Sequence, residues 1–216
     1  MDYESKILLN NLVSSTDFWT IVITAVNALI MIWLGWNQYK LQKRQTKAQE
    51  YDIYRKLYKL LTNANKEIDE FMYTLWVALR EGQCQMAENF LQRKQTFIDD
   101  LWKELADSYI DYELKFSKNI FNKDGYLKLL SMMANIIQRM ILLLKNNEVI
   151  VAHEVYVGYG KCKEDDAYAD DIVEQIPNQN LQTGFMYSLG LFMVQRKAVR
   201  CDNAVLDKIR KKCKID

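Results

Sequence analysis

The sequence contains very few residues that interrupt a helix, with one proline and seven glycines among 216 residues. Proline and glycine are the residues that most often end helices, so their scarcity favours a mostly helical chain. Cysteine is also scarce, and the four cysteines form no Cys-x-x-Cys pair and no regular spacing: Cys84, Cys162, Cys201 and Cys213. This pattern argues against a disulfide framework or a zinc site, and reduced thiols in a cytoplasm are expected.

Net charge is almost absent. Lysine and arginine number 29 and aspartate and glutamate 28, which gives a formal net charge of +1. A chain with this balance has no overall electrostatic attraction to nucleic acid or to anionic lipid. Its 216 residues fit one compact domain and an accessory element.

The sequence holds no complete set of catalytic or metal-binding residues. His153 is the only histidine, which excludes a metal site built from several histidines. No G-x-S-x-G segment is present for a Ser/His/Asp site. One acidic group lacks the spacing of an EF-hand loop and is interpreted as a solvated loop: Glu164, Asp165, Asp166, Asp170 and Asp171. We therefore expect no metal and no cofactor.

One long uncharged run is present, the nineteen residues from Phe18 to Trp36. As a helix it would reach roughly 28 Å, close to the hydrocarbon thickness of a bilayer. Aromatic residues that suit the two membrane interfaces lie at its ends: Trp19, Trp33, Trp36 and Tyr39. The run predicts a single transmembrane helix over 18–36, preceded by a short tail of residues 1–17.

Two other interpretations of this run are weaker. A cleaved signal peptide would begin with basic residues, whereas Asp2, Glu4 and Asp17 outnumber Lys6 before the run, and no A-x-A-like cleavage site follows. A buried core helix would not need such regular aromatic and basic flanks.

Basic residues follow the run and predict its orientation: Lys40, Lys43, Arg44 and Lys47. Cytoplasmic flanks of membrane helices are enriched in lysine and arginine. We therefore expect an inner-membrane protein with its N-terminus outside and residues 37–216 in the cytoplasm.

The membrane helix carries a polar face. Thr20, Thr24, Asn27 and Met31 are separated by four, three and four residues, so they share one side of a helix. Polar residues in a span normally face a neighbouring helix or water. Two interpretations stay open, a pore lined by this face in a ring of parallel copies and a tight helix–helix contact held by Asn27.

The predicted cytosolic part is a helical bundle. Apolar residues at helical spacing mark three helices, over 54–79, 90–109 and 130–144, and the first is expected to continue from the membrane helix. Residues 122–125 are predicted to form a turn. The segment from Glu148 is ambiguous, because its β-branched residues favour a strand while Val149, Ala152, His153 and Tyr156 also fit a helical face, and we assign it as helix to about Val157.

The rest of the chain contains more polar segments. Residues 161–171 are interpreted as a solvated loop, and residues 185–194 as a buried helix too short for a second span. The basic tail from Arg196 is interpreted as a solvated helix face, with a patch facing RNA or lipid as the alternative.

The helical bundle with its single histidine resembles the HEPN superfamily, in which an arginine precedes a histidine by four to six residues on a late helix. The resemblance implies a metal-independent RNA-cleaving pair, here represented by Asn147 or Asn146 with His153. Seven positions on a helix would place Asn146 and His153 on nearly the same face. Asparagine cannot supply the fixed positive charge of arginine, so we predict no strong RNase activity.

A membrane helix followed by such a domain is similar to the membrane accessory proteins of type VI-B CRISPR systems. The similarity is architectural and covers most of the chain. It implies an antiphage protein that contacts membrane lipid, forms a homo-oligomer, makes the membrane permeable and strengthens an RNA-guided nuclease. Whether it binds RNA directly stays open.

Three functions are therefore considered. The first is a pore-forming defence protein, favoured by the threonine and asparagine face. The second is a membrane-tethered RNase, which would need His153 and a basic partner. The third is a membrane-anchored scaffold that binds another protein through its aromatic-rich bundle.

Overall fold

The computed structural model describes residues 7, 16–80, 83–116, 123–151, 164–200 and 209–211. Five helices account for most of these residues: α1 Thr16–Arg80, α2 Cys84–Phe116, α3 Lys123–Lys145, α4 Asp165–Glu174 and α5 Gln179–Arg200. Residues 209–211 are also helical, and the described ranges contain no β-strand. The predicted all-α class is confirmed, as is the single helix that joins the apolar run to the first amphipathic segment.

The chain divides into two compact units, Met1–Tyr51 and Asp52–Asp216. In the first unit, the described residues are Ile7 and the N-terminal part of α1. The second unit contains the rest of α1 and helices α2 to α5.

The core of the second unit is built on apolar residues at helical spacing. From α1 it takes residues three or four positions apart, all buried: Tyr54, Leu57, Leu61, Ala64, Ile68, Phe71, Leu75 and Leu79. Helix α2 packs on α3, and α5 packs on both α3 and α4. The rings of Phe71 on α1 and Phe192 on α5 lie 4.8 Å apart between centroids. The hydroxyls of Tyr54 and Tyr112 lie 3.1 Å apart within the same core.

Helix α3 ends in a hydrogen-bonded turn at Asn147. This residue has a φ of 56°, in the left-handed region that asparagine tolerates better than most residues. Its N–H donates to the carbonyl of Leu144 at 3.1 Å, and the N–H of Glu148 donates to the carbonyl of Leu143 at 2.9 Å. These two bonds form a Schellman end, which stops the helix and redirects the chain.

The chain after this turn is not helical. Residues 148–151 have no helical structure, and the N–H of Ile150 donates to the carbonyl of Gln175 at 2.8 Å. The predicted helix from Glu148 to about Val157 is therefore wrong over 148–151, because its backbone bonds to the end of α4 instead of to itself. Residues 152–157 lie outside the described part of the chain.

Two predicted loops are also corrected. Residues 123–125 belong to α3 rather than to a turn, because the buried face of the helix already begins at Gly125. Asn122, the first residue of the predicted turn, lies outside the described residues. The solvated loop predicted over 161–171 is wrong for residues 165–171, which belong to α4. Residues 161–163 lie outside the described part of the chain. Although the segment is acidic, one face of this helix is apolar and buried, formed by Tyr168, Ala169, Ile172 and Val173. Asp165 and Asp166 lie in the first turn, where the helix dipole favours negative charge.

The only proline of the sequence lies between α4 and α5. Pro177 is followed by Asn178, whose Oδ1 accepts the N–H groups of Asn180 at 3.0 Å and Leu181 at 3.3 Å. This is an N-cap, because it satisfies backbone donors that the first turn of α5 leaves open.

The predicted burial of some aromatic and apolar residues is only partly correct. Residues 185–194 are helical as predicted, with Phe185, Leu189 and Phe192 buried, but the opposite side of this helix is exposed. On α2, Phe97 and Trp102 are exposed rather than part of the core.

Candidate membrane helix and assembly face

The apolar run at the start of α1 is exposed in the part of the chain that the structure describes. Its large side chains are exposed, with Ile21 at 68 %, Leu29 at 65 % and Ile32 at 69 % of their surface accessible. None of its most apolar stretch is buried, and the helix is long and apolar enough to span a membrane. A continuous exposed apolar surface marks a contact with lipid or with another protein.

Aromatic rings lie at both ends of this run. At the start, the rings of Phe18 and Trp19 meet edge to face with centroids 5.8 Å apart. At the end, Trp36 and Tyr39 have centroids 6.2 Å apart, and Trp33 lies one turn earlier with its side chain exposed. Tryptophan and tyrosine favour the level of the lipid headgroups, because their rings are apolar and their N–H or O–H group is polar.

The predicted basic residues are all exposed on α1: Lys40, Lys43, Arg44 and Lys47. The ammonium of Lys40 lies 5.5 Å from the ring centroid of Trp36, which is within the range of a cation–π contact. Positive charge therefore begins at the same level of the helix as the aromatic residues, as a membrane–water interface requires.

The predicted polar face of Thr20, Thr24, Asn27 and Met31 lies on the exposed helix. The hydroxyl of Thr24 donates to the carbonyl of Thr20 at 2.7 Å, so this donor is satisfied inside the helix. The amide of Asn27 makes no hydrogen bond to any residue that the structure describes. Asn27 is therefore the residue of this face that most needs a polar partner, because placing an amide in hydrocarbon without a hydrogen bond costs free energy.

Helix α3 is the second helix that is long and apolar enough to span a membrane. Half of its most apolar stretch is buried within the structure. Met133, Ile137 and Met140 are fully buried and belong to the core of the second unit. Half of its most apolar stretch therefore packs against neighbouring helices.

The helix that would carry the HEPN-like pair is interrupted after α3. Asn146 and Asn147 form the turn after α3, and residues 148–151 are not helical. The helical spacing that would place Asn146 and His153 on one face therefore does not apply. His153 itself lies outside the described residues.

The second unit contains an ion-pair network around a buried arginine whose carboxylate partners are accessible to solvent. Arg196 on α5 is only 6 % exposed. Its Nη1 donates to Oδ2 of Asp165 on α4, and its Nη2 lies 3.6 Å from Oδ1 of Asp69 on α1. A nearby indole, Trp76 Nε1, donates to Oδ2 of Asp171 at 3.0 Å. A buried guanidinium needs such partners, and here they fasten α4 and α5 to α1.

The same network borders a cavity of about 440 Å³, lined by Asp69, Glu70, Tyr73, Glu164, Asp165, Tyr168 and Arg196. These side chains supply carboxylates, phenols and one guanidinium, without an imidazole or a thiol. The described residues contain no group of three or more His, Cys, Asp or Glu placed to hold a metal ion. The interpretation of the segment from Arg196 as a solvated helix face is therefore wrong for Arg196 itself, which is buried and paired with carboxylates. Its sequence signal is one arginine among the apolar positions of α5.

A second buried polar group lies on α2. Burial raises the pKa of the Tyr109 phenol well above its ordinary value, and the neighbouring Tyr126 raises it further. The phenol therefore stays neutral in the folded chain, which suits a structural role in the core rather than proton transfer.

The features that bear on function are therefore the uncovered apolar run and its polar face in the first unit, and the ion-pair network in the second. Comparison with known proteins adds no relative to these features. No protein-family model, curated protein or solved structure matches the chain.

Proposed function

We propose that the chain is a single-pass membrane protein that associates with copies of itself through the face of Thr20, Thr24, Asn27 and Met31 and makes the membrane permeable. The observation that carries the proposal is Asn27, an exposed amide in the middle of an uncovered apolar helix. Its carbonyl and its NH₂ group can both be satisfied by the same residue of another copy.

The orientation follows from the basic residues. Lysine and arginine after the span favour the cytoplasmic side of an inner membrane. The second unit is then cytoplasmic, and the N-terminus is outside. In this orientation every copy has the same direction, so identical faces can meet.

The energetics favour an assembly of several copies over a simple pair. A polar contact between membrane helices contributes about 0.6–2 kcal/mol. One such contact per helix is modest, but a ring repeats it at every interface. A ring also turns the polar face toward a shared interior, where water replaces lipid beside Thr20 and Asn27.

A role in antiphage defence extends this proposal. It rests on the resemblance to type VI-B accessory proteins, in which a membrane helix precedes a helical domain. On this proposal, loss of the membrane barrier limits phage growth and adds to the effect of an RNA-guided nuclease.

Measuring membrane potential tests the proposal directly. We expect cells that express the chain to lose membrane potential, and Asn27→Leu to restore most of it at equal protein level. Val22→Leu is the matched control, because it also adds an apolar side chain but lies roughly 140° away from Asn27 around the helix. Equal effects of the two substitutions would contradict an assembly face.

A second candidate is a membrane-anchored scaffold, and one observation favours it. Tyr187, Leu191 and Val194 form an exposed apolar stripe on α5, with 68 %, 45 % and 69 % of their surface accessible. Their spacing of four and three residues suits a helix of a partner protein. An unchanged membrane potential in cells that express the wild-type chain would favour this scaffold over the pore.

A further inference from the structure

Four glutamines follow the membrane run on one face of α1. Gln38, Gln42, Gln45 and Gln49 are separated by four, three and four residues on the continuous helix Thr16–Arg80. At about 100° per residue, this spacing keeps them within an arc of roughly 60°. All four side chains are exposed, and their amides make no hydrogen bond within the part of the chain that the structure describes.

This glutamine face lies on the same line as the polar face of the membrane run. Met31 and Gln38 are seven residues apart, which is close to two full helical turns. The two groups together therefore form one uncharged stripe along α1 from Thr20 to Gln49.

The charged residues of this segment lie on the other side of the helix. Relative to the centre of the glutamine face, each basic residue is rotated by roughly 130–170°: Lys40, Lys43, Arg44 and Lys47. Such separation is not needed for a helix that is surrounded only by water, where charges are tolerated all round. The separation keeps positive charge away from the glutamine face. The basic side chains on the other side of the helix remain free to contact lipid headgroups and solvent.

We infer that the glutamine face continues the assembly interface out of the membrane and binds the same face of a second copy of this chain. The inference rests on the proposed membrane insertion, because a common anchor makes the copies parallel and brings each residue opposite itself. A lysine would then meet a lysine and be repelled. A glutamine carries both a donor and an acceptor, so it pairs with itself.

Cysteine cross-linking of the full chain in membranes tests this interface. Single cysteines replace Gln38, Gln42, Gln45 and Gln49 in one set, and Lys40, Lys43 and Lys47 in a matched set. After oxidation with copper phenanthroline, we expect the first set to give severalfold more cross-linked dimer than the second, above the baseline of the wild-type cysteines. Equal yields in both sets, or more dimer from the lysine set, would overturn the inference.

A position in the membrane separates this inference from the proposed function. Met31→Cys tests the polar face within the span. Dimer at Met31→Cys without dimer at the glutamine positions overturns the glutamine interface and leaves the membrane assembly standing. No dimer at either place overturns both.

A charge exchange gives a second test without changing composition. The double variant Gln45→Lys, Lys47→Gln moves one positive charge onto the glutamine face and keeps the net charge. We expect self-association in mild detergent to weaken roughly fivefold, because like charges then face each other. Lys47→Gln alone is the control and should leave association unchanged. Unchanged association of the double variant would overturn the inference.

Discussion

Among the described residues, two helices have the length and apolar composition to cross a membrane, but their surroundings differ. The run at the start of α1 is uncovered, whereas half of the corresponding stretch of α3 is buried. In α3 the apolar residues contact α2 and α5 and form a core. Apolar length alone therefore identifies helices that could span a membrane, and packing against other helices distinguishes a core helix among them.

Adding charge to each of these two helices should change membrane attachment in one case and folding in the other. The double substitution Leu29→Arg, Ile30→Arg should make the free energy of membrane insertion less favourable by roughly 5–7 kcal/mol, because both residues lie near the centre of the span. The chain should then no longer resist carbonate extraction from membranes. Ile136→Arg with Ile137→Arg, at buried positions of α3, should instead unfold the second unit and leave the chain in the membrane. Extraction of the α3 variant, or retention of the α1 variant, would contradict the assignment.

A core truncation should separate the two units by stability. Phe71→Ala removes a fully buried ring that contacts Phe192 and should lower the free energy of unfolding by about 3–5 kcal/mol. Leu29→Ala removes an exposed side chain and should leave the free energy of unfolding in detergent nearly unchanged. Denaturant titration followed by circular dichroism measures both, and comparable losses would break the distinction between the units.

A smaller effect is expected from the buried phenol of Tyr109. Because burial raises its pKa in the folded state, the folded chain keeps the proton above the ordinary tyrosine pKa of about 10 while the unfolded chain loses it. The stabilisation that the protonated Tyr109 phenol contributes to the free energy of unfolding is thus complete below a pH of about 10 and is lost as the pH rises further. Tyr109→Phe should move alkaline unfolding to higher pH.

The control for this prediction is Tyr51→Phe, since Tyr51 is exposed in the first unit. It should leave the alkaline transition where it is. Near-ultraviolet circular dichroism between pH 9 and pH 12, roughly spanning the tyrosine range, records the transition. Identical midpoints for the wild type and Tyr109→Phe would contradict the role given to burial.

The helices were predictable from the spacing of apolar residues, but several of their ends were not. Leu57, Leu61 and Ile68 repeat at helical intervals, and this pattern is local in the sequence. The end of α3 depends on a left-handed Asn147 and its two backbone bonds, while the following β-branched residues suited either helix or strand. Helix α4 was missed because its charged residues outnumber the few apolar positions that form its buried face.

The candidate site was predictable to a similar degree. The polar face and the basic residues follow from sequence spacing alone. The hydrogen bond from the Thr24 hydroxyl to the Thr20 carbonyl is visible only in the structure. Because this bond satisfies the Thr24 hydroxyl within the helix, Asn27 is the residue of the face that still needs a polar partner. In the ion-pair network, Arg196 and Asp69 are more than one hundred positions apart in the sequence. No local sequence pattern could therefore predict that they meet.

On the proposed function, Asn27 lies on a face where copies of the chain meet. The most direct measurement is the mass of the protein in mild detergent by light scattering, corrected for bound detergent. The wild type and Val22→Leu should have the same mass, a multiple of the 25.6 kDa chain, and Asn27→Leu should shift the protein toward the monomer. A monomeric wild type, or an Asn27→Leu variant that keeps the full oligomeric mass, would contradict the claim.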